Sequence, residues 1–217
     1  MHAPAQARSV RLTAAVVFLG LVTVSCGNGD HTKPKSSESP TTAAHSYTAA
    51  YDAGWREGKR LFEVGGKGAA IREVIWGGCV RRSLTAQPRD VVDDDRGAWV
   101  QGCKQGVRSG SVRHPPAKPV TRRESDPDLL NRFRSWADAH GEQQPARHAS
   151  QVVLIHLDKR DYDVELATTY TGKSAKAKAQ RLASAFVTWW DGDDGDETAW
   201  NLIVNAQNGK RLTAQAL

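Results

Sequence analysis

The chain has 217 residues, 39% hydrophobic and 25% charged, with a formal net charge of +6. Arg8 and Arg11 account for two of those charges and leave +4 over the remainder. So mild a balance argues against a nucleic-acid-binding class, and the polyanions it suits are phosphate-rich wall polymers and anionic lipid headgroups.

From the N-terminus, Arg8 and Arg11 precede Leu12 to Val24 (LTAAVVFLGLVTV), an apolar run of about thirteen residues. That length suits the hydrophobic region of an export signal and falls short of the ~20 residues needed to span a bilayer. Thr23-Val24-Ser25-Cys26 closes the run and resembles the lipobox of bacterial prolipoproteins, with Thr23 where an aliphatic residue is usual. The resemblance implies removal of residues 1–25, diacylglycerol on the Cys26 thiol, and a mature protein held outside the cytoplasmic membrane by that lipid. An ordinary secretory signal cut near Ser25, giving a secreted protein, and an uncleaved anchor are the two alternatives. Richness in Ala, Gly, Arg and Trp with a single Met is similar to lipoproteins of high-GC Gram-positive bacteria. With Cys26 carrying lipid, Cys79 and Cys103 remain as an even pair and are expected to form a disulfide in an oxidising compartment. They lack the C-x-x-C spacing of a redox-active pair.

Residues 26–45 combine the lipidated Cys26 with a Ser-, Thr-, Pro- and Gly-rich stretch, expected to be a flexible tether. Residues 46–110 read as a small helical segment. Tyr47, Tyr51, Trp55 and Phe62 fall on one helical stripe, with Ser46 as N-cap and Gly65-Gly66 as the stop. Ala70, Ile71, Val74, Ile75 and Cys79 predict the apolar face of a second helix, and Gln87-Pro88 ends that region. Asp93-Asp94-Asp95 opens a third, with Trp99, Cys103 and Val107 on its inner face. AGWREGKRLF and GAWVQGCKQGV share a Trp-x-x-Gly core, so Gly54, Gly58, Gly102 and Gly106 are expected to let helices approach closely. Interior glycines cost up to about 1 kcal/mol each relative to Ala, which the disulfide would offset.

Residues 111–125 form a basic, Pro-rich linker with prolines at 115, 116 and 119, read as a semi-rigid spacer that can meet anionic wall polymer or lipid headgroups. Residues 126–217 have the clearest pattern. Asp126-Pro127 starts a helix with Leu129, Leu130, Phe133, Trp136 and Ala137 inward, and Gly141 stops it. Gln151 to Leu157 is apolar on both faces, and Tyr162 to Tyr170 alternates, so two strands follow. A helix from Ser174 carries Ala175, Ala179, Leu182, Phe186 and Trp189. Ala199–Ala206 and Arg211–Leu217 then pair across Asn208-Gly209. The order αββαββ predicts an α+β fold with a four-stranded antiparallel sheet and helices on one face.

Several motifs are weighed and set aside. Ala167 to Ser174 (ATTYTGKS) satisfies the loose phosphate-loop pattern but puts Thr168, Thr169 and Tyr170 where flexible glycines belong, in a sheet expected to be antiparallel. Asp191 to Glu197 is dense in carboxylates but lacks calcium-loop spacing and reads as a solvated turn. The Asp93–Asp95 triplet has no second ligand cluster, and His114, His140, His148 and His156 show no metal-ligand spacing. No Gly-x-Ser-x-Gly is present. No metal or cofactor is expected, and the catalytic residues of any activity stay unassigned. The expected function is a lipid-anchored envelope protein acting as a binding or structural module with no protein partner specified; the alternative is an envelope hydrolase or transferase with a dispersed Asp/Glu/His site.

Overall fold

The computed structural model describes residues 41–190 and 197–217, with side chains from Tyr47 onward. The expected signal, Cys26 and the tether as far as residue 40 lie outside the described residues, as do residues 191–196 of the acidic loop. Helix α1 (Thr41–Ala70) begins upstream of the expected cap at Ser46, so residues 41–45 are helical and not tether. Thr41 to His45 (TTAAH) contains no helix breaker. The expected stop at Gly65-Gly66 is a kink: Gly66 has φ 52° and ψ −141°, outside helical space.

The second helix does not form as one amphipathic unit. Ile71–Ile75 is a π-turn, and Gly77, with φ of 67°, separates it from α2 (Gly78–Ser83). Cys79 and Val80 therefore point inward, while Ile71 and Ile75 are 51% and 65% exposed. Helix α3 (Arg89–Asp94) ends within the acidic triplet, and Asp95 caps α4 (Arg96–Gly106) by accepting the Ala98 amide at 3.0 Å. Trp99, Cys103 and Val107 are buried, as their spacing predicts.

α1 and α4 cross in backbone contact. A Cβ on Gly54 or Gly58 would lie closer than 3.0 Å to the carbonyl of Trp99 or Cys103, and a Cβ on Gly102 or Gly106 would meet the carbonyl of Tyr51 or Trp55 in the same way. The two Trp-x-x-Gly cores are thus the two halves of one reciprocal contact. The Cys79–Cys103 disulfide joins α2 to α4 with the Cα atoms 5.8 Å apart. Opening it with Cys79→Ser should remove about 3 kcal/mol, given the loop length, and lower Tm by roughly 6–12 °C for a domain of this size. Thermal unfolding with and without reductant checks this.

The sheet has five strands in the order β1-β2-β3-β4-β5, formed by β1 (Arg122–Ser125), β2 (Ala149–His156), β3 (Asp161–Thr168), β4 (Thr198–Asn205) and β5 (Arg211–Ala216). It is mixed, which corrects the expected four-stranded antiparallel sheet: β3 and β4 are parallel and every other pair is antiparallel. The cause is α7 (Ala175–Trp189), whose fifteen residues carry the chain back to the end where β3 began. A strand–helix–strand crossover of that kind produces parallel neighbours. The fifth strand comes from the last residues of the expected linker, a wholly exposed and charged edge. Charge at an edge strand hinders pairing with other chains.

Helices cover both faces, another departure from expectation. On one face α5 (Pro127–Ala139) and α7 enclose Val152, Val164, Leu166, Leu202 and Val204. On the other, Val153, Ile155 and Leu157 share a core with Trp99, Val100 and Val107 of the helical segment. Residues 111–125 therefore do not divide the core, and the described residues fall within one compact unit, Ser39–Leu217. The short helix α6 (Gln143–Ala146) completes the α5 side.

Candidate functional site

The basic linker is a strap fixed to the helical layer. Asp95 is 1% exposed and accepts the amides of Val120 at 2.7 Å and Thr121 at 3.0 Å and the Thr121 hydroxyl at 2.6 Å, besides capping α4. Upstream, the His114 amide donates to the Tyr51 hydroxyl at 3.0 Å, and Arg113 forms a two-pronged pair with Asp52 at 2.6 and 2.7 Å. Arg122 pairs with Glu124 and Arg123 with Glu165, so much of the strap's charge is matched within the fold. Asp95→Ala would orphan several buried donors at once and should cost about 3 kcal/mol, combining a lost cap with lost charge-assisted bonds. Asp95→Asn, which keeps the shape and half the acceptors, should cost less, and a denaturant titration of both variants checks the order.

A groove of about 730 Å³ opens between the strap and the end of β2, bordered by Lys118, Arg122, Lys159 and His156. The His156 side chain is only 10% exposed and lies between two carboxylates: Glu124 is 3.6 Å from Nε2 and Glu197 is 3.7 Å from Nδ1. Nε2 is buried without a hydrogen-bond partner among the described residues. Because the carboxylates address opposite ring nitrogens, they cannot join the imidazole in holding one metal ion. Sequence reading missed this grouping, since residues 124, 156 and 197 meet only through the β1–β2 register and the entry to β4.

Two ionic clusters join the helical layer to the sheet, and a third lies within the layer. Asp163 is fully buried and is met by the Arg96 guanidinium and by the Asn201 amide at 2.7 Å. Burial pushes its carboxyl above the usual range, against the opposing pull of Arg96 and Asn201. Lys104 bridges Asp158 at 2.6 Å and Asp161, whose other oxygen accepts the Trp200 indole N–H at 2.8 Å. Glu73, also fully buried, is held by Arg82 at 2.9 Å and Arg72 at 3.2 Å. Burial raises Glu73 and Asp158. The hydrogen bonds from Arg82 and Arg72 outweigh it at Glu73, and those from Lys104 and the 160–161 amides outweigh it at Asp158, so both sit below the ordinary carboxylate range. Carboxyls lowered by folding stabilise fully above their unfolded pKa of about 4 and lose that contribution as pH falls through the folded value. Tm should therefore fall as pH drops below about 4, and Glu73→Gln should flatten that fall while lowering Tm at neutral pH.

Glu73 also fixes an outward surface. A π-turn places residues four and five apart on one side. With Glu73 clamped inward, Ile71, Ile75 and Trp76 are 51%, 65% and 61% exposed. Lys67, Arg72 and Arg81 of the same stretch are also exposed, and the one acid between residues 64 and 82 is the buried Glu73. Arg81 also lies over the Trp200 ring, 5.3 Å from its centroid.

The other sequence candidates remain separate. His140 stacks on Trp136 at 4.6 Å, and His148 Nδ1 lies 2.9 Å from the Thr169 hydroxyl. Among the described residues, no group of three His, Cys, Asp or Glu side chains could hold a metal. Ala167 to Ser174 does lie between a strand and a helix in a parallel unit, contrary to the antiparallel setting expected. Its geometry is nevertheless unlike a phosphate cradle. Tyr170 is buried in the core, and the amides of Thr169, Tyr170 and Ala175 bond to His148 O, Thr168 Oγ1 and Gly172 O. No helix among the described residues is long and apolar enough to cross a membrane. Comparison with protein-family models, curated proteins and solved structures finds no match.

Proposed function

We propose that this is a lipid-anchored extracytoplasmic envelope protein, carried on a lipidated Cys26, whose folded part acts as a binding or structural module. The export reading rests on the N-terminal signal and the Thr23-Val24-Ser25-Cys26 junction, and the buried Cys79–Cys103 bridge supports it, since structural disulfides belong to oxidising compartments. The observation that carries the module reading is the exposed Ile71, Ile75 and Trp76 turn, held rigidly by Glu73 and by the bridged helices. An exposed apolar patch on a braced scaffold marks an interaction surface. A pull-down from intact envelopes tests it: the tethered protein should recover a defined component, and Ile75→Ser should lose it.

The second reading, an envelope hydrolase or transferase, draws on one observation, His156 between Glu124 and Glu197 in the groove. A carboxylate-flanked imidazole is suited to moving a proton. His156→Gln separates the readings: envelope turnover lost with Tm unchanged favours the enzyme, and recovery of the same envelope component favours the module.

A further inference from the structure

We infer that the Ile71–Trp76 turn is a membrane-docking surface that seats its apolar side chains among anionic lipid headgroups. This rests on the envelope reading above and adds a contact separate from the lipid. Ile71, Ile75 and Trp76 share the outer side of the π-turn, all more than half exposed. An amphipathic ring with aliphatic neighbours suits the headgroup boundary, where tryptophan is enriched. Basic residues predominate in the same stretch. Between residues 64 and 82 the one acid, Glu73, pairs with Arg72 and Arg82, which leaves the exposed Lys67 and Arg81 with no acid partner among the described residues. That pattern complements an anionic leaflet. The strap is the weaker candidate because Arg113, Arg122 and Arg123 are already paired.

The test uses the soluble chain from Gly27, which keeps every described residue and lacks the proposed lipid. Its partition to phosphatidylglycerol–phosphatidylcholine vesicles is compared with pure phosphatidylcholine vesicles by co-sedimentation. Binding to the anionic vesicles, weakened by salt and reduced at least ~10-fold by Ile75→Ser or Trp76→Ser at unchanged Tm, is expected. Lys67→Gln, at an exposed side chain, should reduce it by a smaller factor. Absence of binding, or binding indifferent to these substitutions, would overturn the inference. So would concentration-dependent self-association abolished by Ile75→Ser, which would assign the surface to a second copy. Because this chain carries no lipid, its failure leaves the fate of Cys26 untouched, and the converse also holds.

Discussion

Gly54→Ala combined with Gly102→Ala is expected to destabilise the protein by about 5 kcal/mol or more, at roughly 2–3 kcal/mol for each overpacked site. Helix propensity alone predicts the reverse, since each change should gain up to about 1 kcal/mol in a helix interior. The crossing decides the sign. Each new methyl would press on a backbone carbonyl of the facing helix, Trp99 for Gly54 and Tyr51 for Gly102, and a carbonyl within a helix cannot turn aside. The helices must then separate, which also loosens Cys103 and the core it shares with Ile155 and Leu157. Gly68→Ala is the control, because nothing lies within 4 Å of its Cβ position. That variant should be neutral or slightly stabilising in the same denaturant titration. A loss of 5 kcal/mol would remove a third or more of the stability of a typical domain.

Arg96→Ala should cost about 3–5 kcal/mol, because it leaves Asp163 buried without its cation and held by Asn201 through side-chain and backbone hydrogen bonds. The pH dependence distinguishes this from simple loss of packing. Burial already raises the Asp163 carboxyl, and removing Arg96 takes away the charge that opposes it. A carboxyl raised by folding penalises the native state most at high pH, and the penalty disappears as pH falls below the unfolded value of about 4. The variant should thus recover its lost stability progressively as pH falls from neutral toward about 4. Adding Asp163→Asn to Arg96→Ala should recover stability at neutral pH and abolish that slope. A variant whose loss is the same at every pH would place the cost in packing instead.

Much of the fold is legible in residue spacing. The Asp126-Pro127 cap, the Asn208-Gly209 hairpin, the Trp99/Cys103/Val107 stripe and the paired glycines all appear where the sequence puts them. Local rules govern each of these. What escaped depended on partners far along the chain. β1 reads as linker because RRES has no apolar face, and it becomes a strand only by pairing with Val153 to His156. The parallel β3–β4 pair follows from the helix between them, a topological consequence that counting strands overlooks. The apolar run Gln151 to Leu157 was a signal that both faces of the sheet are covered, as central strands require. Its second face belongs to the helical segment, which is why the strap does not divide the chain. The His156 grouping is invisible for the same reason, its three members lying 32 and 41 residues apart in sequence. Ile71 and Ile75 are the instructive failure: helical spacing assigns them to a core, and Gly77 and the π-turn direct them to solvent.

The intact mass of the protein extracted from the membranes of a bacterium producing the full chain tests the anchored-envelope reading most directly. The expected species begins at Cys26, has lost residues 1–25 and carries a diacylglycerol on its thiol, with the Cys79–Cys103 bridge intact. A mature chain that starts at any other residue, or one that starts at Cys26 without lipid, would contradict it.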